Sequence, residues 1–293
     1  VSFDNAYEAI TEENSSRWAF GTGFEDPLSG VDTTIPDGVD AAELAAYCLM
    51  LGDDALVFSH RLQQWCTNAP ELEDEVALAN IGLDLLGQAR LLLARAGRAE
   101  GGEHGEDYYA FFRDEHEFRN VRLAELERGD FGELTARLLV LSTWRLALLH
   151  RLTGSRDPVL SAIAAKGVKE VTYHRDYAAQ WTVRLGDGTD YSHERMTEGL
   201  ATVWPYVDEL FTPHPVELSL ARAGVGVDPS RTRGEFDDVI GQVLGAATLT
   251  LPEVPSVPGV SGRAGRDGVH TEAMGYLLAE LQSVARAHPE ATW

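Results

Sequence analysis

The chain has 293 residues, 44% of them hydrophobic, and carries 24 Lys and Arg against 47 Asp and Glu for a formal charge of −23. That length can bury a large core as one big domain or two smaller ones. The surplus of negative charge argues against nucleic acid and anionic membranes as partners, because like charge raises the cost of approach.

Two cysteines occur, Cys48 and Cys66. Both fall in one predicted helix, too far apart along it to bridge, a pattern that suits a reducing cytoplasm. The N-terminal stretch is acidic and has no basic segment leading into an apolar one, so no secretory signal is read there. No apolar run approaches the ~20 residues of a bilayer span. The expectation is a soluble, cytoplasmic protein.

Residues 1–39, with "GTGFEDPLSGVDTTIPDG", are rich in turn formers and hold no sustained period; they read as an N-terminal extended arm. Residues 40–293 read as a single helical domain. From Val39 onward Leu44, Tyr47, Cys48, Leu51, Ala55, Phe58, Leu62 and Trp65 follow a helical apolar pattern. "TNAPEL" breaks it, and Pro70 is placed to open the next helix. That helix, "ELEDEVALANIGLDLLGQARLLLARAG", has acids in its first turn, arginines in its last and Gly97 beyond, which complements the helix dipole. It is apolar nearly all round and is expected to be a central element.

A more polar helix is predicted over 106–127 and an apolar one over 131–153. A long helix follows from about Val159 to Leu185, then one that Ser192 caps and that runs to about Phe211. Weaker helical stretches span 215–223, 230–247 and 271–287, the last two separated by a Pro/Gly loop. Almost nothing alternates with a period of two. The chain is expected to be all-α, a helical bundle.

A bundle invites one chemical test. Ferritin-like di-iron sites need a Glu from each of two helices and Glu-x-x-His from each of two others. None of the nine histidines has Glu three residues before it. Asp190/His193 and Asp267/His270 have the spacing with Asp, but fall in predicted turns. The 131–153 helix offers no acid beyond Glu133 at its start. In the second helix Asn80, Asp84 and Gln88 form a polar stripe, with Gly87 where a ligand would be needed. Asp54 lies at the edge of the first helix's apolar face, and Asp53 is expected to point away. In "KEVTYHRDY" Glu170 and His174 fall on the core face or its edge, with Lys166 one turn before Glu170. Lys166 is thus the expected counter-charge for a buried carboxylate where a ferritin-like protein would place metal. Asp54, Asp84, Gln88, Lys166, Glu170 and His174 read as a buried polar network at former metal positions. The competing reading is a divergent metal site built from Asp54, Asp84, Glu170 and His174. Near the C-terminus Arg263, Arg266 and Thr271 stand among glycines before a helix start and make a candidate phosphate loop.

"AAYCLMLGDDALVFSHRLQQWC", "PELEDEVALANIGLDLLGQARLLLARAG", "FRDEHEFRN", "AAKGVKEVTYH", "RLGDGT" and "GVHTEAMGYLLAELQ" resemble, in order, the C-subunit family of bacterial 1,2-phenylacetyl-CoA epoxidases. The resemblance covers about residue 40 to the C-terminus. It implies a ferritin-like bundle with additional C-terminal helices and a structural role with no catalytic residue or metal in this chain. It further implies an A subunit that holds the di-iron centre and most contacts to phenylacetyl-CoA, a B subunit, and a reductase with NADPH, flavin and an iron–sulfur cluster. The divergent metal protein, active on its own, is the alternative.

Overall fold

Asp40 starts the first long helix, its carboxylate accepting the backbone N–H groups of Ala42 and Glu43 that the opening turn leaves unpaired. The computed structural model describes residue 28 and residues 30–291. Among them ten helices follow in chain order: α1 Ala41–Gln63, α2 Leu72–Ala99, α3 Glu106–Phe111, α4 Arg122–Glu125, α5 Phe131–Leu152, α6 Pro158–Gly186, α7 Asp190–Val203, α8 Pro215–Arg222, α9 Arg233–Ala246 and α10 Glu272–Ala287. Four short 3-10 segments lie between them. Among the described residues the sole extended pairing is an isolated bridge, Val260 with Arg263.

The order of contacts gives the topology. Gly52 of α1 faces Leu92 and Leu93 of α2, and Ser59 Oγ donates to the Gly82 carbonyl at 2.6 Å. Ascending numbers on one helix therefore meet descending numbers on the other. The same holds for α5 and α6, where Leu149 packs on Gly167 and Phe131 on Trp181. It holds for α2 and α6 through Gln88 with Glu170 and Asp74 with Trp181. It holds again for α1 and α5 through Leu51 with Arg145 and Phe58 with Arg137. Consequently α2 and α5 run parallel, and residues 100–130 must return the length of the bundle, roughly 42 Å for a helix as long as α2. Two antiparallel hairpins joined by one long crossover are the ferritin-like arrangement.

The central helix is α5, not α2. Every residue from Leu134 to Leu149 is buried, because α5 is packed by α1, α6, α7 and α9. α2 meets α1 and α6 and leaves Leu72, Val76 and Leu83 exposed. By length and composition α2 could cross a bilayer, yet half of its most apolar window is buried in the bundle.

The expected 106–127 helix is broken into α3, a 3-10 turn at Glu115–Glu117 and α4. Local composition allows a helix there, but tertiary demand overrides it. The backbone N–H groups of Arg119 and Val121 point into α1, where they donate to Asp53 Oδ2 and Asp54 Oδ1 at 2.8 Å each. A continuous helix would spend those donors on its own carbonyls. The helix after Gly188 also differs from expectation. Thr189, not Ser192, is its N-cap, with Ser192 closing the reciprocal capping box. The helix stops at Val203, and Pro205 directs the chain into a 3-10 segment, Trp204–Phe211.

Most of the arm read over 1–39 lies outside the described residues. Within the described part Val31, Ile35 and Val39 pack on the core, and Arg95 donates to the Thr33 carbonyl at 2.6 Å.

Candidate functional site

Lys166, Glu170 and His174 sit four residues apart on α6, so each stands a turn above the last on one face. Asp84 and Gln88 have the same spacing on α2. Antiparallel packing brings 84 opposite 174 and 88 opposite 170. His174 Nε2 lies 3.0 Å from Asp84 Oδ2. Gln88 Nε2 donates to Glu170 Oε2 at 2.8 Å, and Lys166 Nζ donates to the other oxygen, Glu170 Oε1.

The group that completes the seam comes from α5. Arg145 Nε donates to Gln88 Oε1 at 2.9 Å and its Nη1 to the Leu51 carbonyl of α1 at 3.3 Å. Gln88 is thus read in one orientation: its carbonyl faces a donor-only guanidinium and its amide faces a carboxylate. The chain Leu51–Arg145–Gln88–Glu170–Lys166 ties all four long helices. Arg145 is buried, and burial pushes its guanidinium down to about 10, opposed by the negative charges of Asp54 and Glu170. It therefore stays a cation at neutral pH.

Burial grades outward along the seam. Arg145, Gln88 and His174 are buried, whereas the Asp84 and Lys166 side chains are 36% and 37% exposed. Glu170, expected as a buried carboxylate, is 15% exposed, and Lys166 is the open, cationic end of the pair. Asn80, the third member of the α2 polar stripe, faces solvent.

Asp54 does not join the seam. It is buried, but Arg266 grips it with two bonds of 3.0 and 2.9 Å, and Arg266 also donates to the Met50 and Arg119 carbonyls. Asp53, expected to point away, is fully buried against Arg113, which donates to its Oδ2 at 3.0 Å. The sequence pattern identifies the bundle face of α1; the crossover covers its other side. A third buried pair joins Glu125 to His270. Nδ1 of the ring lies 2.8 Å from Glu125 Oε2 and Nε2 lies 3.1 Å from the Phe118 carbonyl. Both ring nitrogens face acceptors, so both carry protons. Burial works against that charge, but the hydrogen bond and charge of Glu125 and the Phe118 carbonyl outweigh it, holding the His270 pKa above its ordinary value.

These placements overturn the phosphate loop. Arg266 is an internal counter-ion for Asp54, and the Thr271 N–H is taken by Glu125 Oε1. Arg263 alone remains at the surface, with Nη2 on the Asp267 carbonyl at 2.9 Å. The loop folds inward at Gly268, φ +74°, where a side chain would collide with the His116 carbonyl.

Sequence reasoning missed Arg145, Arg113, Glu125 and His270 as parts of internal networks. For Arg145 a signal was present: an arginine inside "VLSTWRLALL", a run otherwise fit for full burial, needs an internal acceptor. For the others the partners are 60 to 145 residues away, and no local pattern pairs them.

The donor set does not fit a di-iron centre of the kind the fold implies. α5 brings a guanidinium where a carboxylate is required, Asp54 is bound by Arg266, and Glu170 is shared between Lys166 and Gln88. Among the described residues no three His, Cys, Asp or Glu side chains converge as ligands. A separate cleft of about 430 Å³, to which no seam residue contributes, is lined by Arg151, Arg222, Arg231 and Asp228 among others. Its Arg151 is paired with Glu235 at 2.7 Å.

A family pattern described as phenylacetic acid catabolic protein matches residues 32–293. The chain belongs to the phenylacetic acid catabolic protein family. It is 42% identical over 251 residues to the C subunit of the 1,2-phenylacetyl-CoA epoxidase of Escherichia coli (strain K12), covering 86% of this chain and 99% of that protein. The resemblance carried by the α1, α2 and α6 segments thus holds across the bundle. Family membership and the single-crossover topology agree on a ferritin-like fold.

Proposed function

We propose that this chain is a non-catalytic, structural subunit of a multicomponent 1,2-phenylacetyl-CoA epoxidase in aerobic phenylacetate degradation. It pairs with the di-iron A subunit, which binds phenylacetyl-CoA and carries out the chemistry. A B subunit and a reductase using NADPH, flavin and an iron–sulfur cluster complete the assembly. The observation that carries the reading is Arg145: a buried guanidinium bonded to Gln88 and the Leu51 carbonyl supplies fixed positive charge at the centre of the bundle. Beside it Lys166 supplies a second cation to Glu170. Two such cations oppose a pair of metal ions by Coulomb repulsion, and they tie the four helices as a structural network would. Asp54, Asp84, Gln88, Lys166, Glu170 and His174 serve here as positions of a former metal site turned to stability.

A subunit of this kind contributes by binding the catalytic partner's competent state in preference to others. The test is product formation from phenylacetyl-CoA, NADPH and O₂ with the A subunit, B subunit and reductase, with and without this chain. Activity is expected only with it, and this chain with reductase alone should give no turnover. Full epoxidation in its absence, with separate elution of the two subunits on gel filtration, overturns the reading.

A further inference from the structure

The chain after α8 reverses tightly enough to fold back along that helix. Gly224 closes α8 at φ +72°, and the N–H groups of Val225 and Gly226 both return to the Leu220 carbonyl, at 2.9 and 3.0 Å. Gly226 lies so close that a Cβ there would stand 2.9 Å from Leu220 Cβ. Residues 226–228 therefore run beside 218–222. Asp228 then caps the 3-10 turn Pro229–Thr232, its Oδ1 accepting the Ser230 N–H at 3.0 Å. Against both lies the last turn of α5, where Arg151 Nη2 donates to the Arg231 carbonyl at 3.2 Å. These three segments enclose the cleft of about 430 Å³, a volume in the range of small-molecule sites.

Three of the chain's 24 bases, Arg151, Arg222 and Arg231, line this cleft, with Asp228 as the one acid in its lining among the described residues. On a chain with 47 acids that ratio is inverted. The arginines are not equally engaged. Arg151 gives Nη1 to Glu235 at 2.7 Å and to the Ala147 carbonyl at 3.0 Å, so it serves its own helix end. Arg222 stands in the last turn of α8, where the helix dipole favours a cation. Among the described residues, however, it bonds no carbonyl and pairs with no acid. Glu43, on the other side of α8, is taken by Ser219 Oγ at 2.6 Å. The Arg231 side chain is 80% exposed and lies 3.7 Å from Asp228 Oδ2, too far for a hydrogen bond. The second oxygen of Asp228 accepts from Ser230. Pair by pair, the cleft keeps one positive charge and two guanidiniums whose donors are uncommitted among the described residues.

A guanidinium presents parallel N–H groups that match phosphate and carboxylate oxygens. Two of them around one site suit the group with three terminal oxygens, since a single fork already fills a carboxylate. The remaining wall, Leu218, Ala221 and Val227, is apolar and bounds more space than one phosphate group fills. We propose that the cleft binds the phosphate group of a small organic molecule, held by Arg222 and Arg231, with the body of that molecule against Leu218, Ala221 and Val227. The assignment is independent of the subunit reading, because no seam residue and no partner enters it.

The test is titration calorimetry of the purified full chain at low salt with AMP, adenosine, inorganic phosphate and succinate. AMP should bind, adenosine should give no heat, and inorganic phosphate should bind about tenfold more weakly than AMP because it leaves the apolar wall bare. Arg222→Gln with Arg231→Gln alters only exposed side chains, so the melt without ligand should match the parent while AMP affinity falls about tenfold or more. Arg263→Gln, at an exposed base outside the cleft, should bind AMP as the parent does. Inorganic phosphate binding as tightly as AMP assigns the site to the free ion and overturns the organic body. Parent-like AMP affinity in the Arg222/Arg231 variant, succinate binding as well as AMP, or no heat from either phosphate probe overturns the site.

Discussion

Among the buried charges of this protein, two networks are built differently. The seam between α2, α5 and α6 is made by side chains at helical spacing on regular helices, and it opens gradually to solvent at Lys166 and Asp84. The other set, Asp53–Arg113, Asp54–Arg266 and Glu125–His270, is closed and ties the crossover and the C-terminal segment to α1. Each of its carboxylates also accepts a backbone N–H, from Arg119, Val121 and Thr271 respectively. Irregular chain is what frees those N–H groups. A polar network inside a bundle can therefore be held by helices alone, whereas docking a crossover against a bundle requires the crossover to give up its helix.

The difference predicts a ranking of costs. The largest belongs to Arg266→Met, which leaves Asp54 buried without its cation and cuts the C-terminal segment from α1. Breaking a buried pair costs ~3–5 kcal/mol, and urea unfolding should register a loss in that range. Asp54→Asn combined with Arg266→Met should lose less than the two single variants summed. Strict additivity would mean that the two side chains do not act as a pair.

Gln88→Leu comes next. It removes the acceptor for Arg145 Nε and the donor to Glu170 at once, with an expected loss of about 2–3 kcal/mol. An unchanged midpoint would show that the seam does not hold the helices together.

His270→Gln sharpens the closed set through pH. The folded pKa of His270 is raised, so its contribution is fully present below the ordinary histidine value of ~6.5 and is lost as pH rises through the folded value. The parent should exceed His270→Gln by about 1.5 kcal/mol at pH 6, the scale of a hydrogen bond to a charged group. The gap should narrow on going to alkaline pH. A gap that widens with pH contradicts the doubly protonated ring.

The smallest effect belongs to Lys166→Met. Its ammonium is more than a third exposed, and Glu170 keeps the Gln88 amide, so the loss should be under about 1 kcal/mol. A thermal melt that drops as far as for Arg266→Met would erase the distinction between an open seam and a closed one.

Legibility followed the range of the interaction. The core face of α6 and the stacking of Lys166, Glu170 and His174 could be read directly, because a 3.6-residue period projects them together whatever surrounds the helix. The Asp84 and Gln88 stripe was legible for the same reason. The 106–127 segment was not, because its polar, helix-compatible composition concealed a demand for backbone donors that arises only against Asp53 and Asp54. The candidate phosphate loop failed likewise: glycines and arginines near a helix start are local facts, while the burial of Arg266 depends on a carboxylate 212 residues away.

Residue order was enough to establish that the chain is all-α, where the long helices run, which α2 and α6 side chains share a face, and which family it resembles. These depend on periodicity, caps and motif order, all carried within a few turns of chain. Packing in three dimensions was needed to make α5 and not α2 central, to let Arg145 complete the seam, and to bind Asp54 to Arg266 and not to the bundle interior. A buried charge takes as its partner whichever opposite charge the packing of distant segments delivers within hydrogen-bond reach, and separation along the chain carries no information about that distance.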